Sequence, residues 1–176
     1  MGSYSMPSYA SSLLLLLTIL TTAICDQDNT THLKFFLHNQ LSGPNATRAL
    51  VATAGPNKTA SSFGSITVAD APLTVTVDAN STEIGRNQGT GAQVQESPPV
   101  TSVVQNFVFT GGDYNGSTLA LIGQVTPLLP TWELAVVGGS GQFRKAQGYA
   151  IGQFAFLNIT AGTTIVQYDV YVTAKN

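Results

Sequence analysis

The chain has 176 residues, a formal net charge of −2 and only 7 Lys and Arg, and it reads as one ordinary domain able to bury a core. Its basic residues Lys34, Arg48, Lys58, Arg86, Arg144, Lys145 and Lys175 are scattered, and only Arg144 and Lys145 adjoin, which argues against a nucleic-acid binder. One cysteine, Cys25, and two histidines, His32 and His38, exclude the usual His/Cys zinc sites and a Cys–His nucleophile pair, so no metal and no cofactor is expected.

The first element along the chain is an address. Leu13 to Ile24 is almost wholly apolar, and at about 12 residues it is too short to span a bilayer but right for a secretory h-region. Met1 to Ser12 holds no Lys or Arg, so the terminal amine is the only positive charge ahead of it. Ala23-Ile24-Cys25 offers small residues to a signal peptidase, which divides the chain into a signal peptide over 1–25 and one domain over 26–176. Cleavage removes Cys25, leaving a mature domain without disulfide, thiol chemistry or membrane anchor. Six Asn-x-Ser/Thr sequons come after it, at Asn29, Asn45, Asn57, Asn80, Asn115 and Asn158, as expected of a secreted glycoprotein.

The rest of the chain has the period of a strand. From Thr164 to Thr173, Val166, Tyr168, Val170 and Val172 alternate with Ile165, Gln167, Asp169 and Tyr171, which predicts a strand with one buried face. In chain order before it, short runs predict strands at Leu33–His38, Ala49–Ala52, Ser65–Val68, Leu73–Val77, Ser102–Thr110, Ser117–Val125 and Trp132–Val137. Turn clusters such as Ser42-Gly43-Pro44-Asn45, Gly55-Pro56-Asn57, Gly111-Gly112-Asp113 and Gly138-Gly139-Ser140-Gly141 separate them. No mature segment has an apolar 3.6 repeat, so the pattern is all-β, an antiparallel barrel or sandwich. With no disulfide, stability must come from packing, and barrel closure removes edges that would otherwise need protection. Gly139-Ser140-Gly141 resembles a fragment of a dinucleotide fingerprint, but no helix pattern comes after it, and a hairpin turn is the better reading. Gly-x-Ser-x-Gly is absent, so neither histidine has a nucleophile-elbow context.

Several segments, taken in order, resemble one family. Phe36-Leu37-His38, Gly43-Pro44-Asn45-Ala46-Thr47, Phe63-Gly64, Asp70 with Leu73-Thr74, Gly85-Arg86-Asn87-Gln88-Gly89, Phe107-Val108-Phe109-Thr110, Tyr114 to Leu119 and Glu133 to Arg144 look like the plant dirigent protein pattern over the whole mature chain. The Val136-Val137-Gly138-Gly139-Ser140-Gly141-Gln142-Phe143-Arg144 stretch is the most distinctive. The resemblance implies an eight-stranded antiparallel β-barrel of the kind also used by allene oxide cyclases, secreted to the apoplast as a homodimer or homotrimer. It implies a protein of lignan and phenylpropanoid chemistry that binds phenoxy radicals or quinone methides of monolignol-type phenols. A separate laccase or peroxidase makes these intermediates, and the barrel directs their stereoselective coupling without oxidising them. The physical basis is orientation: intermediates that couple randomly in water are held in one geometry.

Departures from that pattern limit the transfer. Members that close the furan rings of lignans typically have His-Asp where this chain has His38-Asn39, many have an acid at Gln142, and many have an Arg at Gln147. Amides hydrogen-bond but exchange no protons at useful pKa values, so no catalytic residue is assigned. Trp132 stands where an Arg usually precedes the Glu, and Ala92 stands near the place of a frequent Tyr. The pocket candidates are therefore Phe35, Leu37 and Asn39, placed on one face by period-two alternation, with Gln142 and Gln147 flanking the Gly-rich hairpin as closers of the mouth. Phe35 and Leu37 read first as plain core, since apolar residues on one strand face usually pack, and Arg86 reads equally as a pocket residue or an ion-pair partner of Glu83 or Glu133. Three other readings stay open: a binding-only barrel that has lost its acids, an allene oxide cyclase-like isomerase, and a sugar-binding β domain.

Overall fold

A computed structural model describes residues 30–78 and 80–174. The apolar run Leu13–Ile24, Cys25 and the Asn29 sequon lie outside the described residues. Among the described residues nine strands occur in order: β1 (Thr31–Gln40), β2 (Arg48–Ala52), β3 (Ile66–Thr74), β4 (Glu83–Gln95), β5 (Val100–Phe109), β6 (Thr118–Val125), β7 (Trp132–Ser140), β8 (Gln147–Asn158) and β9 (Thr163–Thr173). All pairings are antiparallel, in the order β1-β9-β8-β7-β6-β5-β4-β3-β2, and β1 also pairs with β3. That last contact, Phe36↔Thr74 and Leu37↔Leu73, closes eight strands into a barrel and leaves β2 as an added strand. The eight-stranded antiparallel barrel that the family resemblance implies is the observed architecture.

The sequence pattern misses two strands and divides a third. β4 carries Gly85, Asn87, Gly89 and Gly91, residues that read as turn signals. They are strand residues because the barrel wall leaves their inner face little room: a Cβ on Gly89 would lie 2.6 Å from Gln105 Cα. β8 is disguised similarly by Gly148, Ala150 and Gly152 on its inner face. Asp70 and Pro72 split the pattern of β3 into two predicted strands, yet it runs through. The N–H of Asp70 donates to the Thr47 carbonyl at 2.9 Å, so the even-numbered residues of β3 bond away from β4. Pro72 falls where that outer partner changes from β2, opposite Ala69, to β1, opposite Leu73. A missing N–H there breaks no ladder bond. β3 also stops at Thr74, leaving Val75 and Val77 exposed rather than extending the strand to Val77.

The interior differs between the two ends. At the end formed by the β5–β6 and β7–β8 connections, aromatic rings fill the barrel. Phe109, Tyr114 and Phe143 pack with centroids 4.9–5.9 Å apart, and Phe35 meets Phe107 edge-to-face at 4.9 Å. Leu73, Leu119, Leu134, Val170 and Val172 surround them, fully buried. Toward the end where β1 finishes and β9 begins, the buried residues turn polar: Asn39, Thr67, Gln93, Thr101, Gln105 and Thr164. The apolar end supplies stability, and the polar end must find partners for its groups.

Candidate functional site

The polar end is built by strand register. In β1, Leu33, Phe35, Leu37 and Asn39 face inward, opposite Val170, Tyr168, Val166 and Thr164 of β9. Asn39 is 8% exposed, and its Nδ2 donates to Thr164 Oγ1 at 3.4 Å. Thus Phe35, Leu37 and Asn39 do share one face, as the alternation predicts. Phe35 belongs to the aromatic cluster, Asn39 to the polar end, and Leu37 lies between them.

A second row passes through Arg48, Ala69, Gly89 and Gln105, which are directly opposed in successive ladders across β2, β3, β4 and β5. Arg48 and Gln105 therefore share the inner face, and the two positions between them are small, which leaves both long side chains room to lean inward. A third row is Phe35, Tyr168, Gly152 and Trp132. A Cβ at Gly152 would overlap the Trp132 indole at Nε1 and Cε2, so the ring lies flat over that glycine, with its other contact an edge-to-face pair with Phe154 at 5.1 Å. Gly152→Ala is expected to cost about 1–3 kcal/mol by overpacking. Trp132 is the only tryptophan, so a shift of its emission should accompany the loss in denaturant unfolding. Unchanged emission and stability would show that the indole does not rest there.

These rows meet at the Tyr168 hydroxyl. Burial pushes its phenol up, against the opposing influence of the Trp132 indole, the Gln105 amide and the Arg48 charge. Tyr168 is thus a neutral phenol with three nitrogen groups about it. Among the described residues Arg48 Nε is a buried donor without a partner, while Gln105 Nε2 and Trp132 Nε1 face the Tyr168 hydroxyl without completing a well-aligned hydrogen bond to it. Gln93 Oε1 is a buried acceptor without a partner, although its Nε2 donates to Thr101 Oγ1 at 2.7 Å. Asn87 Oδ1, opposite Phe107, is a further unpaired acceptor deeper in the barrel. Burial holds the Arg48 guanidinium below its ordinary value, though still a cation. No carboxylate compensates it: among the described residues the ion pairs are His32–Asp169, Arg86–Asp70 and Arg86–Glu83. No Asp or Glu is buried among the described residues, and none of their His, Asp and Glu side chains cluster as a metal site.

The remaining sequence candidates lie elsewhere. Arg86 faces outward from β4, where Nε donates to Asp70 Oδ1 at 2.7 Å and Nη1 to Glu83 Oε1 at 3.5 Å. The Arg86 bond holds the Asp70 carboxyl below its ordinary value, so this pair is a surface clamp between β3 and β4. Gln142 sits at the aromatic end, donating from Nε2 to the Asp113 carbonyl at 2.6 Å and from its backbone N–H to Ser117 Oγ at 3.1 Å. Gln147 is exposed at the start of β8, beside an outer groove of about 330 Å³ lined also by Tyr149, Tyr171 and Thr173. The structure does not bring Arg86, Gln142 or Gln147 together with Asn39. It adds Arg48, Gln105, Trp132 and Tyr168, which the sequence candidates omit.

Residues 30–173 match the family model for dirigent-like proteins. The chain belongs to the dirigent-like family. It is 42% identical over 147 residues to dirigent protein 11 of Arabidopsis thaliana, covering 82% of this chain and 75% of that protein. It is 37% identical over 148 residues to pterocarpan synthase 1 of Glycine max, covering 83% and 80%. Among solved structures, a pterocarpan synthase dirigent protein superposes with a TM-score of 0.79 at 34% identity, covering 84% of this chain and 86% of that one. Its dirigent-like relatives thus include both proteins named for directing and proteins named as synthases.

Proposed function

We propose that this chain is a secreted dirigent-like protein that binds phenoxy radicals or quinone methides of monolignol-type phenols and fixes the face on which they couple. The observation that carries the reading is the divided interior: a packed aromatic end, and a polar end where the Arg48, Gln105 and Trp132 N–H donors gather about the Tyr168 hydroxyl without well-aligned hydrogen bonds, beside the Trp132 and Phe154 rings. An oxidised phenol is a flat ring bearing an oxygen acceptor, which matches an aromatic wall with convergent N–H groups. A separate laccase or peroxidase removes an electron and a proton from each phenol, and two radicals then join by one new bond with no further change in electron count. The barrel's part is orientation.

Secretion and glycosylation belong to the same proposal. Asn45, Asn57, Asn80, Asn115 and Asn158 are all exposed, so each sequon is sterically available. Assembly as a homodimer or homotrimer is supported by apolar side chains on the outer wall, where Val104 and Ile122 oppose each other and Val137 lies one strand beyond, all at least 45% exposed.

The test is chiral chromatography of coniferyl alcohol products formed by a limiting one-electron oxidant with and without the purified glycoprotein. An enantiomeric excess rising with protein concentration is expected, and racemic products at every concentration would overturn the monolignol reading. A second reading, a synthase that closes a ring on a quinone methide by itself, is favoured by the likeness to pterocarpan synthase 1 and by donors able to polarise a carbonyl. Ring-closed product formed with no oxidant, from a phenolic substrate that gives its quinone methide by loss of water, would establish it in place of the first.

A further inference from the structure

Arg48 is the one cation at the polar end among the described residues, and no carboxylate there balances its charge. It reaches the inner face because the chain leaving β1 turns back at once: the Thr47 N–H donates to the Gln40 carbonyl at 2.8 Å, and the Gln40 N–H to Thr47 Oγ1 at 3.0 Å. One residue further along each segment, Asn39 and Arg48 both point into the barrel. β2 thereby inserts a guanidinium through the gap between β1 and β3, toward Tyr168. Its Nε is buried without a partner, and no acid pairs with it among the described residues. Arg48 is half-buried, but its Nε is sealed from water, and a cation so placed without a counter-ion gains by acquiring a partner, which a ligand can supply.

The chemistry of the surroundings narrows that ligand. The Arg48, Gln105 and Trp132 donors, gathered about the Tyr168 hydroxyl, share the inner face with one unpartnered acceptor, Gln93 Oε1, which lies four residues along β4 from Gly89. A neutral phenol satisfies one or two of these groups and leaves the charge bare. An aromatic carboxylate that also bears a phenol supplies the missing partners: two acceptor oxygens matching the planar fork of a guanidinium, a ring for the Trp132 and Phe154 wall, and a hydroxyl donor for Gln93. We propose that Arg48 makes this barrel selective for phenolic acids of the hydroxycinnamate type over the corresponding neutral alcohols and esters. This selectivity rests on the coupling reading only for the chemistry after binding, since preference for the acid is a property of the unoxidised ligand.

The test is calorimetric titration of the glycoprotein with ferulate and with its methyl ester, two ligands of the same ring and phenol that differ in charge. At pH 7 ferulate is expected to bind about tenfold or more tightly than the ester, as a charge-assisted pair replaces a neutral contact. Arg48→Gln and Arg48→Met should both bring the two ligands to within about twofold of each other, with the larger loss falling on ferulate. Two neutral variants are used so that a folding failure of one leaves the other to report. Equal affinities in the native protein, or a preference for ferulate that survives in either folded variant, would overturn the proposal. Coupling of both ligands by the same oxidant separates this from the reading beneath it. Racemic products with the acid preference intact would remove the coupling function and leave the selectivity standing. An enantiomeric excess without any acid preference would do the reverse.

Discussion

Phe107→Ala is expected to cost about 3–5 kcal/mol in urea unfolding followed by circular dichroism, the largest stability loss of any single truncation considered for this barrel. Phe107 is fully buried and touches Phe35 at 4.9 Å and Tyr168 at 5.1 Å between ring centroids, so it joins the aromatic end to the polar end. Its removal leaves a cavity walled by β-strands that are hydrogen-bonded on both sides and closed into a ring, so they have little freedom to collapse into it. The same truncation should weaken ligand binding, because Tyr168 loses the ring that fixes its phenol beside Gln105 and Trp132. A loss below about 1 kcal/mol would mean that the aromatic end is loosely filled, and the division of the interior would fail with it.

Much of this fold is readable in the chain wherever one face of a strand is apolar. β1 and β9 alternate cleanly, and their observed register puts each predicted inward residue opposite another: Leu33 with Val170, Phe35 with Tyr168, Leu37 with Val166, Asn39 with Thr164. β4 and β8 are illegible because glycine and alanine hold most of their inner positions, chosen by the bulk of the neighbours across the barrel, Gln105 for Gly89 and Trp132 for Gly152. A sequence pattern reports a residue's own hydrophobicity and says nothing of the side chain that needs the space.

The site divides the same way. Asn39 is legible as a polar residue in an apolar alternation, and Gln105 carries the same signal between Val103 and Phe107 on β5. Trp132 heads the alternation Trp132, Leu134, Val136 and is readable as inward for that reason. Arg48 is not readable. In the sequence it is one of a few scattered cations, and its burial depends on β2 entering between β1 and β3, a tertiary event set by where β3 changes partner. Gln142 and Gln147 are drawn to the mouth by their neighbourhood in sequence, but the β7–β8 connection lies at the opposite end from Asn39.

Arg48→Met is expected to raise the stability of the unliganded protein by about 1–3 kcal/mol, the cost released when a buried polar group without its partners is replaced by an apolar one of similar length. For a domain of this size that is a rise in Tm of about 2–4 °C per kcal/mol, readable by calorimetry. The sign is the informative part. Most core substitutions destabilise, and a gain on deleting a charged side chain identifies a residue kept for a purpose other than folding. If Tm falls instead, the guanidinium is satisfied within the folded chain, and its role is to hold β2 in the gap between β1 and β3. The gain should also shrink by about 1.4 kcal/mol when ferulate is present well above both dissociation constants, because ligand stabilisation grows with the logarithm of affinity and the variant binds about tenfold more weakly. Stability and selectivity are thus expected to trade against each other at one position, with Ala69 and Gly89 keeping the space in which that position works.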